Sequence, residues 1–380
     1  MKTELNKYED ALFRLLRFGL WNEPLSADSV DGCAEAVMSL ARKQSVTGIV
    51  AKAILQDKER SSHIPNSLRL KLKSLVVSNV MTYEKMTGNI GMLVSELESA
   101  GVRPVLLKGH SLAANYPHPE LRQCGDIDLY VGEDQALKSY DILATVCDRI
   151  EPRISAESGK HFSAWCGEIE VEVHRHTSTY AAGKYARIYD KAATEGLESA
   201  PDTLQIGTVT VNTPSALFNA YYIFDHLFEH FLNSGIGLRH LCDWMLFLHR
   251  HKELIDLDRL KALLCDMKLL EPWQAFGCIL VSHLGMPEED FPFYAESSKA
   301  DKVLEYILSD GNFGKETAYY QRRTRNYLLT KANALWCHIV RMVRLFSLFP
   351  GQSVRHFCYV LSNYFVHLRE DIRIRIHHGR

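Results

Sequence analysis

At 380 residues the chain is long enough for roughly two to three domains, and 46% hydrophobic with 24% charged residues is the balance of a globular protein, which excludes a disordered or fibrous one. The formal charge of -2 conceals a split, since residues 321–380 carry 11 Lys/Arg against 2 Asp/Glu and so form a basic end on an acidic body. Nine cysteines, odd in number and without a C-x-x-C, speak against a zinc ribbon or a disulfide framework, while the lack of an apolar leader or of any apolar run of about 18 residues points to a cytoplasmic protein without membrane spans.

Residues 1–100 read as a helical region, because apolar residues recur every three or four positions over Tyr8–Phe18, Ser29–Arg42, Thr47–Gln56 and Ser67–Ser99. After Gly101 the period changes. Pro104–Leu107 and Ile127–Val131 read as short buried strands, and Lys138–Arg149 as a helix between strands. His161–His176 reads as a hairpin turning near Cys166-Gly167, with strict alternation from Glu168 to His174. That alternation puts Val171 and Val173 on one side and Glu168, Glu170 and Glu172 on the other. Thr208–Val211 is one more strand. From Pro214 onward the pattern is helical again, over Ala216–Leu232, Leu238–His249, Leu257–Lys268, Pro272–Leu284, Lys302–Leu308, Lys331–Leu348 and Val354–Leu368. The chain is therefore expected to be α+β, with a helical region over 1–100, a mixed-sheet core over 101–212 and a second helical region over 213–380.

Chemistry gathers at the start of the core. In Leu106-Leu107-Lys108-Gly109-His110-Ser111 the glycine lets the backbone approach a phosphate, and the helix expected from Ser111 presents amide groups to an anion. Lys108 and Arg122 add positive charge beside the same place. On the next strand Asp126 and Asp128 project together while Ile127 and Leu129 turn into the core. Two carboxylates on one face suit a hard cation, and magnesium binds one or two carboxylates together with substrate phosphates. A solvated edge strand gives the same D-x-D pattern, but the preceding glycine turn favours the metal. A third carboxylate on a neighbouring strand would complete a two-metal site, with Glu172 the first candidate and Glu170 the second.

Lys108-Gly109, the downstream Arg122, then Gly125-Asp-Ile-Asp-Leu-Tyr-Val131 and later Glu172-Val173-His174 together resemble the uncharacterised bacterial nucleotidyltransferase family of the polymerase-beta-type superfamily. Leu238-Arg239-His240-Leu241-Cys242-Asp243-Trp244 is similar to a motif in the helical part of that family, so the resemblance extends over most of the chain. It implies a nucleotidyltransferase-like sheet carrying metal-binding Asp126 and Asp128, a third carboxylate at Glu172 and a phosphate-binding turn at Gly109 and Ser111. The implied reaction moves a nucleotidyl group from an NTP, ATP being the expected donor, to an unidentified acceptor, with two Mg2+ ions. The chain departs from the superfamily in having Lys108-Gly109-His110-Ser111 where a Gly-Ser pair is usual, and Glu where the third carboxylate is more often Asp.

Other signals weigh less. His226-Leu-Phe-Glu229-His230 matches H-x-x-E-H, which on a helix sets two histidines and a glutamate together as in some zinc peptidases. With 17 histidines in the chain and no distal ligand, it reads first as a packing helix, or as a lining of the cleft opposite the aspartates. His174 and His176 read as structural hydrogen-bonding groups more readily than as catalysts. Asp243, inside an apolar helix, needs a partner. Arg239 one turn earlier is the local one, and contact with a base, ribose or acceptor is the functional alternative. The basic end, with Arg322, Arg323, Arg325, Arg341, Arg344, Arg355, Arg369, Arg373 and Arg375 among Tyr319, Tyr320, Trp336, Phe357 and Tyr364, suits tracking a nucleic-acid backbone or resting on an anionic membrane surface. Pairing of those arginines with the acidic body is favoured, because the total charge nearly cancels.

Overall fold

The computed structural model describes residues 5–25, 33–56, 64–178, 180, 183–315, 317 and 327–362. Helices α1 (Lys7–Trp21), α2 (Ala34–Lys43), α3 (Thr47–Gln56) and the long α4 (Asn66–Ser99) precede the sheet. The start of α1 is set by a capping box, in which Asn6 accepts from the Glu9 amide and the Glu9 side chain accepts from the Asn6 amide.

The sheet runs in the order β3-β4-β5-β2-β1-β7-β6, built from β1 (Val105–Leu106), β2 (Asp126–Tyr130), β3 (Arg149–Ile150), β4 (His161–Cys166), β5 (Ile169–His174), β6 (Asp202–Ile206) and β7 (Val209–Thr213). It is mixed: β2 lies parallel to β5 and β1 parallel to β7, while β1–β2 and the β3–β4, β4–β5 and β6–β7 pairs are antiparallel. The parallel register pairs Asp126 with Glu170 and Asp128 with Glu172. Paired residues of adjacent strands share a face, so the two aspartates and the two glutamates form one acidic patch. Glu168 lies in the β4–β5 turn and not on the strand, so the alternation begins one residue later than the sequence suggests.

The helix expected over Lys138–Arg149 is α6 (Glu133–Val146), which follows the short α5 (His110–Ala113). It begins earlier because Gly132, at φ +76°, turns the chain and Glu133 and Asp134 complement the helix N-terminus. It ends earlier because Arg149–Ile150 joins the sheet. Strands β3 and β6, helix α7 (Arg153–Ser158), helix α8 (Lys184–Ala193) and the wider turn Thr194–Ser199 have no counterpart in the periodicity.

Past the sheet come α9 (Ala216–Asn233), α10 (Leu238–His251), α11 (Leu257–Asp266), α12 (Leu270–Leu284), α13 (Ala300–Asp310), α14 (Tyr327–Phe346) and a helix α15 over 350–362. Two apolar cores result. One lies on the face of the sheet where Ile127, Leu129, Val171 and Val173 pack against Ile90, Leu93 and Leu97 of α4. The other unites α1–α3 with α9–α13 around Phe224, Trp244, Trp273 and Phe276. Buried Gln44 stitches this second core, accepting from the Leu238 amide at 3.0 Å and donating to the Ile307 carbonyl at 3.2 Å.

The described part of the basic end is paired internally. Arg341 and Arg344 meet the two oxygens of buried Asp310 at 2.8 and 2.7 Å. Arg355 donates to the Met267 carbonyl and lies over the Tyr185 ring. Arg322, Arg323, Arg325, Arg369, Arg373, Arg375, Tyr319, Tyr320 and Tyr364 lie outside the described residues. All nine cysteines are free thiols. Among the described residues no helix is long and apolar enough to cross a membrane.

Candidate active site

The polar face of β2 and β5 opens into a cavity of about 360 Å³, closed on the far side by α9 and α10. Lys108, Gly109, Arg122, Asp126, Asp128, Glu172, His174 and Asp243 line it together with Lys160, His161, Tyr222, His226, Glu229, His230, Arg239 and His240. These sequence-expected residues thus come from the turn after β1, the loop before β2, β2, β5 and α10 into one space. Thr177 at its edge also borders a larger cavity of about 1010 Å³, which lies beyond the C-terminal ends of β2 and β5.

Asp128 is fully enclosed. Its Oδ1 accepts from Lys108 Nζ at 2.7 Å and from His174 Nε2 at 2.8 Å. Burial would raise this carboxyl, but Lys108 and His174 hold it well below the usual range. Burial would likewise depress the Lys108 ammonium, yet Asp128 keeps it charged. Asp126 has no such partner among the described residues, and Glu172 has only the His174 Nε2, 3.5 Å from its Oε2. Burial, then the charge of Asp128, raises Asp126, and burial with Asp128 and Asp126 pushes Glu172 up to about 7. The His174 imidazole is pushed down to about 4 by burial, so it stays neutral and donates through Nε2. Of the three carboxylates only Asp128 is in contact with a cationic side chain, Lys108, while Arg239 and Lys160 face the same cavity from farther away. Glu170, one pleat away, is half-buried and does not border the cavity.

The turn after β1 divides its residues. Gly109 takes φ +72°, which a side chain would oppose, and keeps the backbone against the cavity. Its neighbours turn away: the Ser111 hydroxyl donates back to the Leu107 carbonyl, and buried His110 stacks on Tyr83 and shares a hydrogen bond of 3.0 Å with Thr87.

Asp243 does not pair with Arg239. Its partner is Arg122, 121 residues away, which grips both carboxylate oxygens at 3.0 and 2.6 Å, while the Tyr116 hydroxyl donates to Oδ1 at 2.7 Å. Both oxygens are committed inside the protein, so the pair anchors the loop that leads into β2. Arg239 is left to face the cavity, donating from Nη1 to the Gln123 carbonyl at 2.8 Å. His176 stands outside the cavity, 3.7 Å from Glu133.

The model of an uncharacterised nucleotidyltransferase family matches residues 33–285, well over half of the chain. The chain belongs to that family. The family's span takes in every cavity residue from Lys108 to Asp243, and leaves only Phe313 and Tyr359 of the lining beyond it. A solved structure described as an antigenic nucleotidyltransferase-like protein from Paracoccidioides brasiliensis is 14% identical, covers 53% of this chain and 93% of its own, and superposes with a TM-score of 0.31. That superposition is too loose to carry residue roles across. A comparison with curated proteins returns no match.

Sequence reading alone did not single out Lys160, His161, Tyr222 or Arg239 as cavity residues. His161 had a usable signal, because it opens the hairpin whose other end is His174, its register partner. The others come to the cavity through packing between distant segments.

Proposed function

We propose that the chain transfers a nucleotidyl group from an NTP, with ATP the preferred donor, to the hydroxyl or phosphate oxygen of an acceptor. The observation that carries this is the register of β2 and β5, which sets Asp126, Asp128 and Glu172 on one cavity-facing patch beside Lys108 and Gly109. The donor set fits magnesium: oxygen ligands on a patch where burial, and then the neighbouring carboxylates, raise Asp126 and Glu172. When bound, magnesium would neutralise the phosphates and stabilise the developing charge of an in-line displacement.

The chain's own groups divide the remaining work. Asp126 and Asp128 hold the metal, and Glu172 completes the site and accepts the proton of the attacking hydroxyl. The acceptor oxygen forms a bond to the α-phosphorus, the bond to the β-phosphate oxygen breaks, and pyrophosphate departs. Gly109 and Lys108 bind the departing phosphates, with Arg239 supplying further positive charge. Ser111 and His110 act here through backbone alone, since their side chains are engaged elsewhere. Arg122 and Asp243 position the loop before β2. A non-catalytic module of the same fold would need none of this patch, and nucleic-acid binding through the basic end is disfavoured by the internal pairing of Arg341 and Arg344.

The decisive variant is Asp126→Ala with Asp128→Ala. It should abolish magnesium-dependent pyrophosphate release from NTP, assayed with cell extract as the source of acceptor, while circular dichroism stays that of the unaltered protein. Undiminished release in the folded double variant rejects the assignment.

A further inference from the structure

Across the cavity from the carboxylate patch, helix α9 presents His226, Glu229 and His230, whose ligand atoms all lie within 4.8 Å of one another. The spacing explains the convergence, since residues three and four apart stand on one helical face. A tetrahedral zinc with bonds of about 2.1 Å holds its ligands roughly 3.4 Å apart, so small side-chain rotations would close the set. None of the three side chains makes a hydrogen bond or ion pair among the described residues, and His230 Nδ1 is sealed from solvent without a partner. The three residues are partly buried, and a carboxylate without a partner beside two imidazoles there favours a ligand that satisfies it.

We propose that His226, Glu229 and His230 bind one divalent ion of the zinc class, separate from the hard-cation patch on β2 and β5. Two imidazoles with one carboxylate select zinc over magnesium, which prefers an all-oxygen shell. Three protein ligands would leave a coordination position open, and His226, Glu229 and His230 line the same cavity as Asp126 and Glu172. A water or an acceptor oxygen held there would stand opposite the nucleotidyl-transfer groups.

The proposal does not depend on the transfer reaction, so its test reads metal. The full chain, stripped with chelator, is titrated with zinc sulfate against a chromophoric competitor, and bound metal is counted by mass spectrometry. The unaltered protein and Asp126→Asn with Asp128→Asn should each take one tightly held zinc, cobalt(II) in its place giving visible absorption. His226→Gln with His230→Gln should weaken that zinc at least about a hundredfold, since even outer-shell partners of metal ligands are worth up to that much. Glu229→Gln, nearly isosteric, should weaken it as well and serves if the histidine variant does not fold. Equal zinc in the parent and in Glu229→Gln overturns the site. So does a zinc that is lost in Glu172→Gln and kept in the histidine variant, because it would belong to His161, Glu172 and His174, which also converge.

Discussion

Glu172 and Glu170 lie on the same face of β5, two residues apart, yet their surroundings differ. Glu172 borders the cavity with its carboxyl pushed up to about 7 by burial and by Asp128 and Asp126, whereas Glu170 does not reach it. Register explains the difference, because Glu172 pairs with enclosed Asp128 and Glu170 with Asp126 at the outer end of β2. Glu172→Gln should therefore lower kcat for NTP turnover by at least about a hundredfold, as loss of a metal-site group does. Glu170→Gln should stay within a few-fold of the parent. Equal losses in the two, measured by steady-state pyrophosphate release, would remove Glu172 from its assigned place. A single sequence could name both glutamates but could not rank them. Alternation reports a face, while depth along the strand depends on what covers it.

At the scale of elements, what was legible followed a strong local period. The periodicity gives Thr47–Gln56 to the residue and α4 to within one residue, and alternation marks the β4–β5 hairpin. Strand β3 has two residues, and β6 reads Asp-Thr-Leu-Gln-Ile with most of its side chains half-buried or exposed, so neither leaves a periodic signature. The Arg122–Asp243 pair escaped for a different reason. Helical spacing offers only Arg239 as a partner, and the true one comes from a loop brought alongside by packing of α10 on the Tyr116 segment. Because this pair is almost wholly enclosed, removing one member strands a buried charge, at a cost of about 3–5 kcal/mol. Arg122→Met and Asp243→Leu should each lose that much in urea unfolding, and the double variant Arg122→Met with Asp243→Leu should lose clearly less than the sum. Additive losses would mean that the two side chains do not act as a pair.

Over the whole molecule the cavity is where two separately packed cores meet: one wall is the sheet, backed by α4, and the other is α9 and α10 of the large helical core. A ligand that binds there touches both walls, so it stabilises their joint arrangement and not either part alone. Binding to the folded state raises stability by mass action, about 2.7 kcal/mol at a hundred times the dissociation constant. The acidic patch repels a nucleotide triphosphate on its own, and magnesium without phosphates satisfies only part of the patch. Thermal unfolding should therefore shift upward strongly when Mg2+ and ATP are present together, and by much less with either one. The shift should vanish with EDTA and in Asp126→Ala with Asp128→Ala. Hydrogen exchange under the same conditions should slow in β2 and β5 and also in α9 and α10, because the ligand joins the walls. Protection confined to the strands would place the nucleotide on the sheet alone and leave the helical wall free for the acceptor.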